Sequence, residues 1–278
     1  MQIFWLELNK LKYEDFLNYL KNFLQQENKE QKIIFTPNPE ILLKTLEDKE
    51  FKDLLQKADF LTIDGIWIYI ALQILSTPSP IRRGLGWGLL LPYYFFNLFF
   101  RRKYLYKKYW ERICGSDLTN DLVKFSEKNN IKITILDPYY PLDLKKVEAQ
   151  KNFRKNLKKV FPNLDFDFFI YKKEEKEEII KKICSSKSKI LFATLWMKSQ
   201  EKAVVEIMKK CPNLKLGLWV GSSFDYFVWF QKRAPKIFRS LGLEWLYRLI
   251  TWPQKLKRLK RLYNAIFVFI WKVLVYKK

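Results

Sequence analysis

Short apolar segments alternate with amphipathic ones along most of this chain, and this alternation constrains the fold more than any other feature. Strands that alternate with helices pair in parallel, because each helix carries the chain back across the sheet. The sequence therefore predicts an α/β fold with a mainly parallel, Rossmann-like sheet and helices on both faces. The predicted strands are 2–8, 32–35, 60–64, 131–136, 165–171, 189–193 and 214–220. The predicted helices are 13–26, 40–46, 51–57, 118–128, 144–160, 173–184 and 200–210, with one more beginning near residue 66.

Two of the predicted strands end at polar residues that suit chemistry. The third strand ends at Asp64, which is followed by Gly65, and the second ends at Thr36, because Pro37 cannot donate a ladder hydrogen bond. Sequential parallel strands with right-handed crossovers place both ends at one edge of the sheet. Open α/β sheets bind ligands at that edge. The alternative is structural, since Asp64 would also cap the helix that follows it.

Histidine is absent from the 278 residues, which excludes a Ser-His-Asp triad and any metal site or proton transfer that uses imidazole. Proton transfer near neutral pH must then fall to a carboxylate, Lys, Tyr or Cys side chain. The three cysteines, Cys114, Cys184 and Cys211, lack metal-ligand spacing. Their odd number and wide separation argue against a disulfide framework and indicate a reducing compartment.

The formal net charge of +23 is concentrated in two segments, 81–110 and 252–278, that contain Lys and Arg but no acidic residue. Both segments are also rich in aromatic residues and leucine. Cations beside apolar runs are typical of proteins that bind an anionic membrane surface. We therefore divide the chain into an α/β domain of residues 1–251, with an apolar and basic insertion at 81–110, and a basic amphipathic appendage of residues 252–278.

Each of these two segments invites a specific interpretation. Residues 84–100 are uncharged, but Pro92 and three glycines argue against a continuous helix. We interpret this run as an interfacial or shallow re-entrant segment, and a hairpin packed on the protein's own core is the alternative. The appendage has cations on one helical face and apolar residues on the other, as in a helix lying in the membrane interface. That apolar face comprises Leu256, Leu259, Tyr263, Ile266 and Ile270.

The most specific feature is a set of short motifs in a fixed order. They are Thr36-Pro37-Asn38-Pro39-Glu40, Asp64-Gly65, Arg112 with Gly115-Ser116-Asp117-Leu118, Gln200-Glu201, Gly221-Ser222-Ser223-Phe224-Asp225, Arg233-Ala234-Pro235 and Gly242-Leu243-Glu244-Trp245-Leu246-Tyr247-Arg248. Together, and in this order, they resemble the motifs of the WecG/TagA/CpsF glycosyltransferase family over roughly residues 1–260, apart from the apolar insertion.

The resemblance implies an inverting, metal-independent transfer of a sugar, often N-acetylmannosamine in known members, from a UDP donor to a sugar on a polyprenyl diphosphate. It implies a peripheral or monotopic enzyme at the cytoplasmic face of the cell membrane, making teichoic acid or surface polysaccharide. No cofactor beyond the UDP-sugar substrate is implied. The resemblance gives Asp64 the role of base, with Thr36 beside it. It also places Arg248 and Arg258 at the active site, with Lys255 where arginine is usual.

The chemistry of the residues themselves agrees with this. An inverting transfer needs one base for the acceptor hydroxyl, and the departing UDP needs positive charge or backbone N–H groups, which a glycine-containing turn before a helix offers. The candidate catalytic residues are Asp64, Thr36, Arg112 and Gln200. The candidate substrate-binding residues are Asn38, Gly65, Asp117, Gly221, Ser222, Phe224, Asp225, Arg233, Glu244, Arg248, Lys255 and Arg258. No metal ligands are assigned.

Several of these residues also have a purely structural interpretation. Arg248 is spaced to pair with Glu244 one helical turn earlier. Residues 233–235 suit a loop that starts a helix, and residues 200–201 suit a helix surface. Ser116 or Asp117 suits an N-cap.

Two departures from the family pattern bear on the donor. The glycine-rich turn after the strand ending at residue 136 is replaced by residues 137–141, and Thr194, Trp196 and Lys198 stand in place of a Gly-x-Gly-x-Pro motif. They put the donor sugar in question more than the reaction type. A non-catalytic membrane scaffold with the same fold is one alternative function. A basic nucleic-acid-binding protein is a weaker one, because the charge flanks apolar runs and no recognition motif accompanies it. A homo-oligomer is compatible with the sequence.

Overall fold

The computed structural model describes residues 2–77, 79–109, 111–140, 142–228, 232–240, 243–251 and 255–275, with the backbone alone described for residues 79–89, 102, 236, 240 and 255–258. Its strands are β1 (Gln2–Ile3), β2 (Leu6–Glu7), β3 (Lys32–Phe35), β4 (Phe60–Leu61), β5 (Ile133–Pro138), β6 (Phe166–Tyr171), β7 (Ile190–Ala193) and β8 (Leu216–Trp219). Its helices are α1 (Tyr13–Gln25), α2 (Pro39–Glu47), α3 (Lys49–Leu55), α4 (Trp67–Ser76), α5 (Ser79–Phe100), α6 (Arg102–Tyr109), α7 (Gly115–Lys128), α8 (Leu144–Lys151), α9 (Phe153–Val160), α10 (Lys176–Ser185), α11 (Ser199–Lys210), α12 (Lys236–Ser240), α13 (Glu244–Thr251), α14 (Lys255–Tyr263) and α15 (Phe269–Val275). A 3-10 helix covers Gly221–Tyr226, and a π-helical turn at Asn264–Val268 joins the last two helices.

The centre of the molecule is a six-stranded sheet in the order β4-β3-β8-β7-β5-β6, and every pair of neighbours is parallel. One face is covered by a core that includes α2, α3, α4, α10, α11 and α15, and the other by a core that includes α1, α7 and α9. The strand β7 is buried along its whole length, as expected of a strand covered on both faces. The predicted α/β fold with a parallel sheet is confirmed.

The sheet brings the ends of β3 and β4 side by side. Ile34 pairs with Phe60 and Phe35 with Leu61, in parallel register. Thr36 and Asp64 therefore follow neighbouring strands at the carboxyl edge, as the sequence predicts. The end of β8 lies on the other side of β3, so residues after Trp219 reach the same edge.

The amino terminus differs from the prediction of one strand over residues 2–8, which is wrong. β1 and β2 pair antiparallel through a turn at Phe4 and Trp5, whose φ angles are 51° and 66°. Tight hairpin turns usually place Gly or Asn at such positions, so the sequence carries no turn signal here. Phe4 is buried, and its ring lies 5.8 Å from that of Phe269, so packing of the turn offsets its backbone cost.

The uncharged run of residues 84–100 lies within a continuous helix of 22 residues, α5, with Pro92 inside it. It is not a hairpin, and the expectation that Pro92 and the glycines argue against a continuous helix is wrong. Leu90, Tyr94 and Leu98 are buried along one side of α5. Gln73 of α4 donates to the Tyr94 carbonyl (3.3 Å) and accepts from the Asn97 amide (3.0 Å). This packing outweighs the local propensity. No helix among the described residues is both long and apolar enough to cross a membrane.

Two further predictions are corrected. The structure pairs Cys184 with Cys211 in a disulfide that joins α10 to the end of α11, with Cα atoms 4.5 Å apart, whereas the sequence argued against a disulfide framework. Cys114 is free and buried. The single helix predicted for residues 144–160 is divided into α8 and α9 at Asn152.

The appendage begins with α14 and ends against the core. Phe269, Ile270 and Val273 of α15 are buried, and this helix packs on α4 and α2. The predicted apolar face is therefore wrong at Ile270, which belongs to the core. The side chain of Leu256 lies outside the described part of the chain. The large apolar side chains that α14, the π turn and α15 expose are Leu259, Tyr263, Phe267, Trp271 and Val275.

Candidate active site

The ends of β3, β4 and β8 form a tight corner around Thr36. The indole nitrogen of Trp219 donates to the Thr36 hydroxyl at 3.0 Å. Gly115, the first residue of α7, lies so close that a Cβ there would be 2.9 Å from the same hydroxyl oxygen. Gly65 has a φ of +116°, and a Cβ there would come within 3.1 Å of Pro39. The corner therefore needs glycine at both positions.

Asp64 lies in this corner and is half-buried. It does not cap α4, because that helix begins at Trp67 with Ile66 at its N-cap, so the structural alternative considered above is wrong. Its carboxylate accepts no hydrogen bond from the described residues. Burial raises the pKa of Asp64 to about 6, helped by the charges of Glu244 and Asp117 and opposed by Arg112 and Arg248. A carboxylate with this pKa is ionised at neutral pH and matched to proton abstraction.

Arg112 is held beside Asp64 by the backbone. The Ile113 N–H donates to the Ile63 carbonyl at 3.0 Å, so the chain before α7 runs along the end of β4. One guanidinium nitrogen of Arg112 donates to the Arg239 carbonyl at 3.4 Å. Burial opposes its charge, but neighbouring acidic groups including Asp64 outweigh burial and raise the pKa of Arg112.

Helix α13 brings a second cation to the site. Arg248 pairs with Glu244 one turn earlier, as its spacing predicts, and also donates to the hydroxyl of Tyr226. Burial alone would raise the pKa of Glu244, but Arg248, Arg112 and Arg233 lower it, so this carboxylate stays ionised. The predicted pair is thus present, and it lies next to Asp64 rather than on an outer surface.

Asp117 has a different role from the predicted cap. Helix α7 starts at Gly115 and has no side-chain cap, so the expectation that Ser116 or Asp117 caps it is wrong. Asp117 instead pairs with Arg233 and, at 3.3 Å, with Arg239. This ties the loop before α12 to the start of α7.

Gln200 and Glu201 are buried at the start of α11, so the surface interpretation is wrong. The Gln200 amide donates to Glu201 at 3.2 Å, while the Gln200 amide oxygen and the second Glu201 oxygen have no partner among the described residues. Burial raises the pKa of Glu201 to about 7. The pair lies at the same edge of the sheet, after β7.

The block that follows β8 is divided between site and core. Gly221 has a φ of +49° with open space beside it, and Ser222 is exposed. Phe224 was predicted to bind substrate, but it is buried, with its ring 5.4 Å from that of Phe192, and belongs to the core. Asn38 accepts from the Ile41 N–H at 3.1 Å and so caps α2.

A second group of polar side chains lies at the ends of β5 and β7, where the family pattern has glycines. Asp137 accepts from the Thr194 hydroxyl and, at 2.5 Å, from the Gln150 amide. Asp225 pairs with Lys146 at 2.7 Å. We call these five residues the second carboxylate group.

The remaining predicted residues have mixed outcomes. The side chains of Lys255 and Arg258 lie outside the described part of the chain. Sequence reasoning missed Trp219, Tyr226 and Arg239, which all contact site residues. Only Tyr226 carried a signal, because it directly follows the Phe-Asp motif. Across the described ranges, no three His, Cys, Asp or Glu side chains come together as a metal ion would require.

Comparison with known proteins agrees with the order of motifs around this corner. The sequence profile described as "Glycosyl transferase WecG/TagA/CpsF family" matches residues 1–87 and 98–278. The chain belongs to this family. As a member of the WecG/TagA/CpsF family it is a glycosyltransferase, and the family profile skips only residues 88–97, within α5.

Two bacterial relatives are similar over most of their length. A protein of Bacillus spizizenii strain W23 is 25% identical over 259 residues, which cover 91% of this chain and 85% of the relative. A protein of Staphylococcus aureus strain MRSA252 is 25% identical over 256 residues, covering 91% and 84%. Both are named N-acetylglucosaminyldiphosphoundecaprenol N-acetyl-beta-D-mannosaminyltransferase.

Proposed function

We propose that this protein is an inverting glycosyltransferase that moves N-acetylmannosamine from a UDP donor to N-acetylglucosamine on a polyprenyl diphosphate, at the cytoplasmic face of the cell membrane. The observation that carries the proposal is Asp64, a carboxylate at the carboxyl edge of the sheet that accepts no hydrogen bond from the described residues and has a pKa of about 6. The names of the two relatives support the choice of sugar and acceptor.

The proposed step has one proton to move. Asp64 takes the proton of the acceptor hydroxyl as the acceptor oxygen bonds to the anomeric carbon of the donor sugar. The bond from that carbon to the UDP oxygen breaks on the opposite face, and UDP leaves with the electron pair. Thr36 lies at the neighbouring strand end, where its hydroxyl can orient the acceptor. No histidine competes for the role of base.

The departing UDP carries negative charge that the protein must stabilise. Arg112 and Arg248 are the cations that act on Asp64, since both lower its pKa. Preorganised cations in a partly buried site stabilise developing charge far more than in water. Helix α14 also lies near this corner, because Arg261 makes a bidentate ion pair with Glu40 at 2.8 Å, two residues after Asn38. Lys255 and Arg258, which the family resemblance assigns to the active site, belong to the same helix.

A lipid-linked acceptor requires contact with the bilayer. The exposed apolar residues of the appendage are spaced four residues apart, and Lys260 and Arg261 are exposed on the same segment. This combination supports a helix that rests on an anionic membrane surface. Deleting the appendage would uncover the core residues of α15, so point substitutions are the appropriate probe.

The test is UDP release from a panel of UDP-sugars in EDTA, with a short-chain polyprenyl-diphosphate N-acetylglucosamine as acceptor. We expect release only when acceptor is present, highest with UDP-N-acetylmannosamine, and about 10³-fold slower in Asp64→Asn. Asp53→Asn is the matched control, because Asp53 is an exposed aspartate on α3.

Either of two results would overturn the proposal. If Asp64→Asn keeps its activity, Asp64 is not the base. Absence of turnover with every donor, in a folded protein that binds vesicles, favours a non-catalytic membrane scaffold instead.

A further inference from the structure

Helices α5 and α6 present a continuous aromatic face to solvent. Hydrogen bonds carry the helix through the junction, because Arg101 donates to the Asn97 carbonyl (3.0 Å) and Leu105 donates to the Arg101 carbonyl (3.1 Å). At 3.6 residues per turn, four exposed aromatic residues fall within an arc of about 80°. They are Tyr93, Phe96, Phe100 and Tyr104, and each is at least half exposed. We call them the α5–α6 aromatic face.

Unpaired cations border this face. Arg101, Lys103 and Lys107 are exposed, and none of them makes an ion pair with a described residue. Lys107 falls on the same arc as the aromatic rings, and Lys103 lies about 20° beyond the edge of that arc. Lys108 lies over the rings of Tyr104 and Tyr109, at 5.9 and 5.2 Å. Phenyl and phenol rings interleaved with free cations are the composition of a surface that sits among anionic lipid headgroups.

The opposite side of the same helices is fixed to the active-site domain. Besides the buried residues of α5 described above, the hydroxyl of Tyr109 lies 2.5 Å from that of Ser76, at the end of α4. The ring of Phe95 lies 5.7 Å from that of Trp67, which follows Asp64 by three residues and also contacts Trp245 of α13. The aromatic face therefore cannot turn without moving the corner that holds Asp64.

We propose that the α5–α6 aromatic face is a second membrane-contact surface, separate from the appendage, which binds anionic phospholipid and sets the orientation of the Asp64 corner toward the bilayer. The role in orienting the Asp64 corner rests on the proposed function, whereas the binding of anionic phospholipid does not. The family profile skips residues 88–97, which include Tyr93 and Phe96 of this face, and resumes at residue 98.

The charges favour a lipid surface over a second copy of the chain. A copy of this protein carries the same free cations on the same face and a net charge of +23, so symmetrical pairing through the face would bring like charges together. An anionic bilayer supplies the opposite charge and a place for the rings.

The test is sedimentation of the full chain with vesicles of phosphatidylglycerol and phosphatidylcholine, beside vesicles of phosphatidylcholine alone. In Arg101→Gln/Lys103→Gln/Lys107→Gln, we expect binding to anionic vesicles to fall on the order of 100-fold. The control, Lys151→Gln/Lys155→Gln/Lys159→Gln on α8 and α9, removes the same charge from exposed lysines and should change binding less than threefold. Phe96→Ser/Phe100→Ser should weaken binding roughly tenfold. Its control is Leu142→Ser/Val160→Ser.

Activity separates this proposal from the proposed function. With a short-chain soluble acceptor, the variants of the face should keep the wild-type rate, whereas with a full-length acceptor in anionic vesicles their KM should rise and kcat should not. Vesicle binding equal to that of the lysine control would overturn the second surface, whatever the activity. So would a change from dimer to monomer in the Phe96/Phe100 variant, because the face would then cover a second copy. Loss of turnover in all proteins with intact vesicle binding would contradict the proposed function alone.

Discussion

Two sets of half-buried carboxylates lie on the same edge of the sheet, and they differ in their hydrogen-bond partners. In the second carboxylate group, Asp137 has Thr194 and Gln150 as donors, and Asp225 has Lys146. Asp64 accepts no hydrogen bond from the described part of the chain. Burial is the largest cause raising the pKa of all three aspartates, and donors or a cation oppose it at Asp137 and Asp225.

The comparison shows which carboxylate is available for chemistry. A polar group that is removed from water without a hydrogen bond lowers stability, so such a group is uncommon at positions with a purely structural role. The second carboxylate group has its oxygens occupied and fills the region where the family pattern has glycines. Asp64 retains free lone pairs and nearby cations, which is what abstraction of a proton requires.

The largest effect is expected from removing the cation that most strongly opposes protonation of Asp64. In Arg112→Gln, kcat should fall about 10²- to 10³-fold, because one charge facing the departing UDP is lost. The pKa seen in kcat/KM should also rise above 6, since Arg112 lowers the pKa of Asp64. Arg154→Gln, on α9, is the control. If the rate falls but the pH profile does not move, Arg112 does not act on the pKa of Asp64.

An effect of intermediate size is expected on stability, with opposite signs in the two sets. The pKa of Asp64 is higher in the folded protein than its usual value, so the fold loses stability as pH rises through about 6. Asp64→Asn should therefore raise the free energy of unfolding at pH 7 by about 1 to 2 kcal/mol, allowing for partial solvent contact. Lys146→Met should lower it by about 1 to 3 kcal/mol, because Asp225 is left without its cation.

Denaturant unfolding of both variants at pH 5 and pH 7 measures this contrast. The gain from Asp64→Asn should shrink at pH 5, where Asp64 in the wild type is mostly protonated. If both substitutions lower the free energy of unfolding, the proposed difference between Asp64 and the second carboxylate group is contradicted.

The smallest effect concerns Glu201, which shares features of both sets. One of its oxygens accepts from Gln200 and the other has no partner among the described residues. Its pKa of about 7 is above the usual value, so wild-type stability should fall by about 1 kcal/mol between pH 6 and pH 8. Glu201→Gln should remove that slope in thermal unfolding at the two pH values. An equal slope in the variant would assign the pH dependence to another group.

The sequence predicted the corner where polar residues interrupt apolar strands. Thr36, Asp64 and the pairing of Arg248 with Glu244 follow from strand ends and helical spacing, which are local signals. Helix α5 was missed because its stability comes from Gln73 and the core face rather than from its own propensity. The hairpin at Phe4 was missed because its turn is stabilised by a ring more than 260 residues away.

Other features depend on packing that no local pattern encodes. The partners of Asp117 are Arg233 and Arg239, more than 100 residues later in the chain, so the local pattern at the start of α7 indicates only a cap. Phe224 lies in a motif that resembles a binding block, yet its side chain turns into the aromatic core. The disulfide of Cys184 and Cys211 requires α10 and α11 to be neighbours.

The most direct test of the account is the pH dependence of kcat/KM for sugar transfer by the wild-type protein between pH 4.5 and pH 8. If Asp64 is the base, the rate should rise with pH as a single ionisation near 6 and level off above 7, because only the carboxylate accepts the proton. A rate that is constant from pH 5 to pH 8 in a folded protein would contradict the assignment of Asp64 as the base.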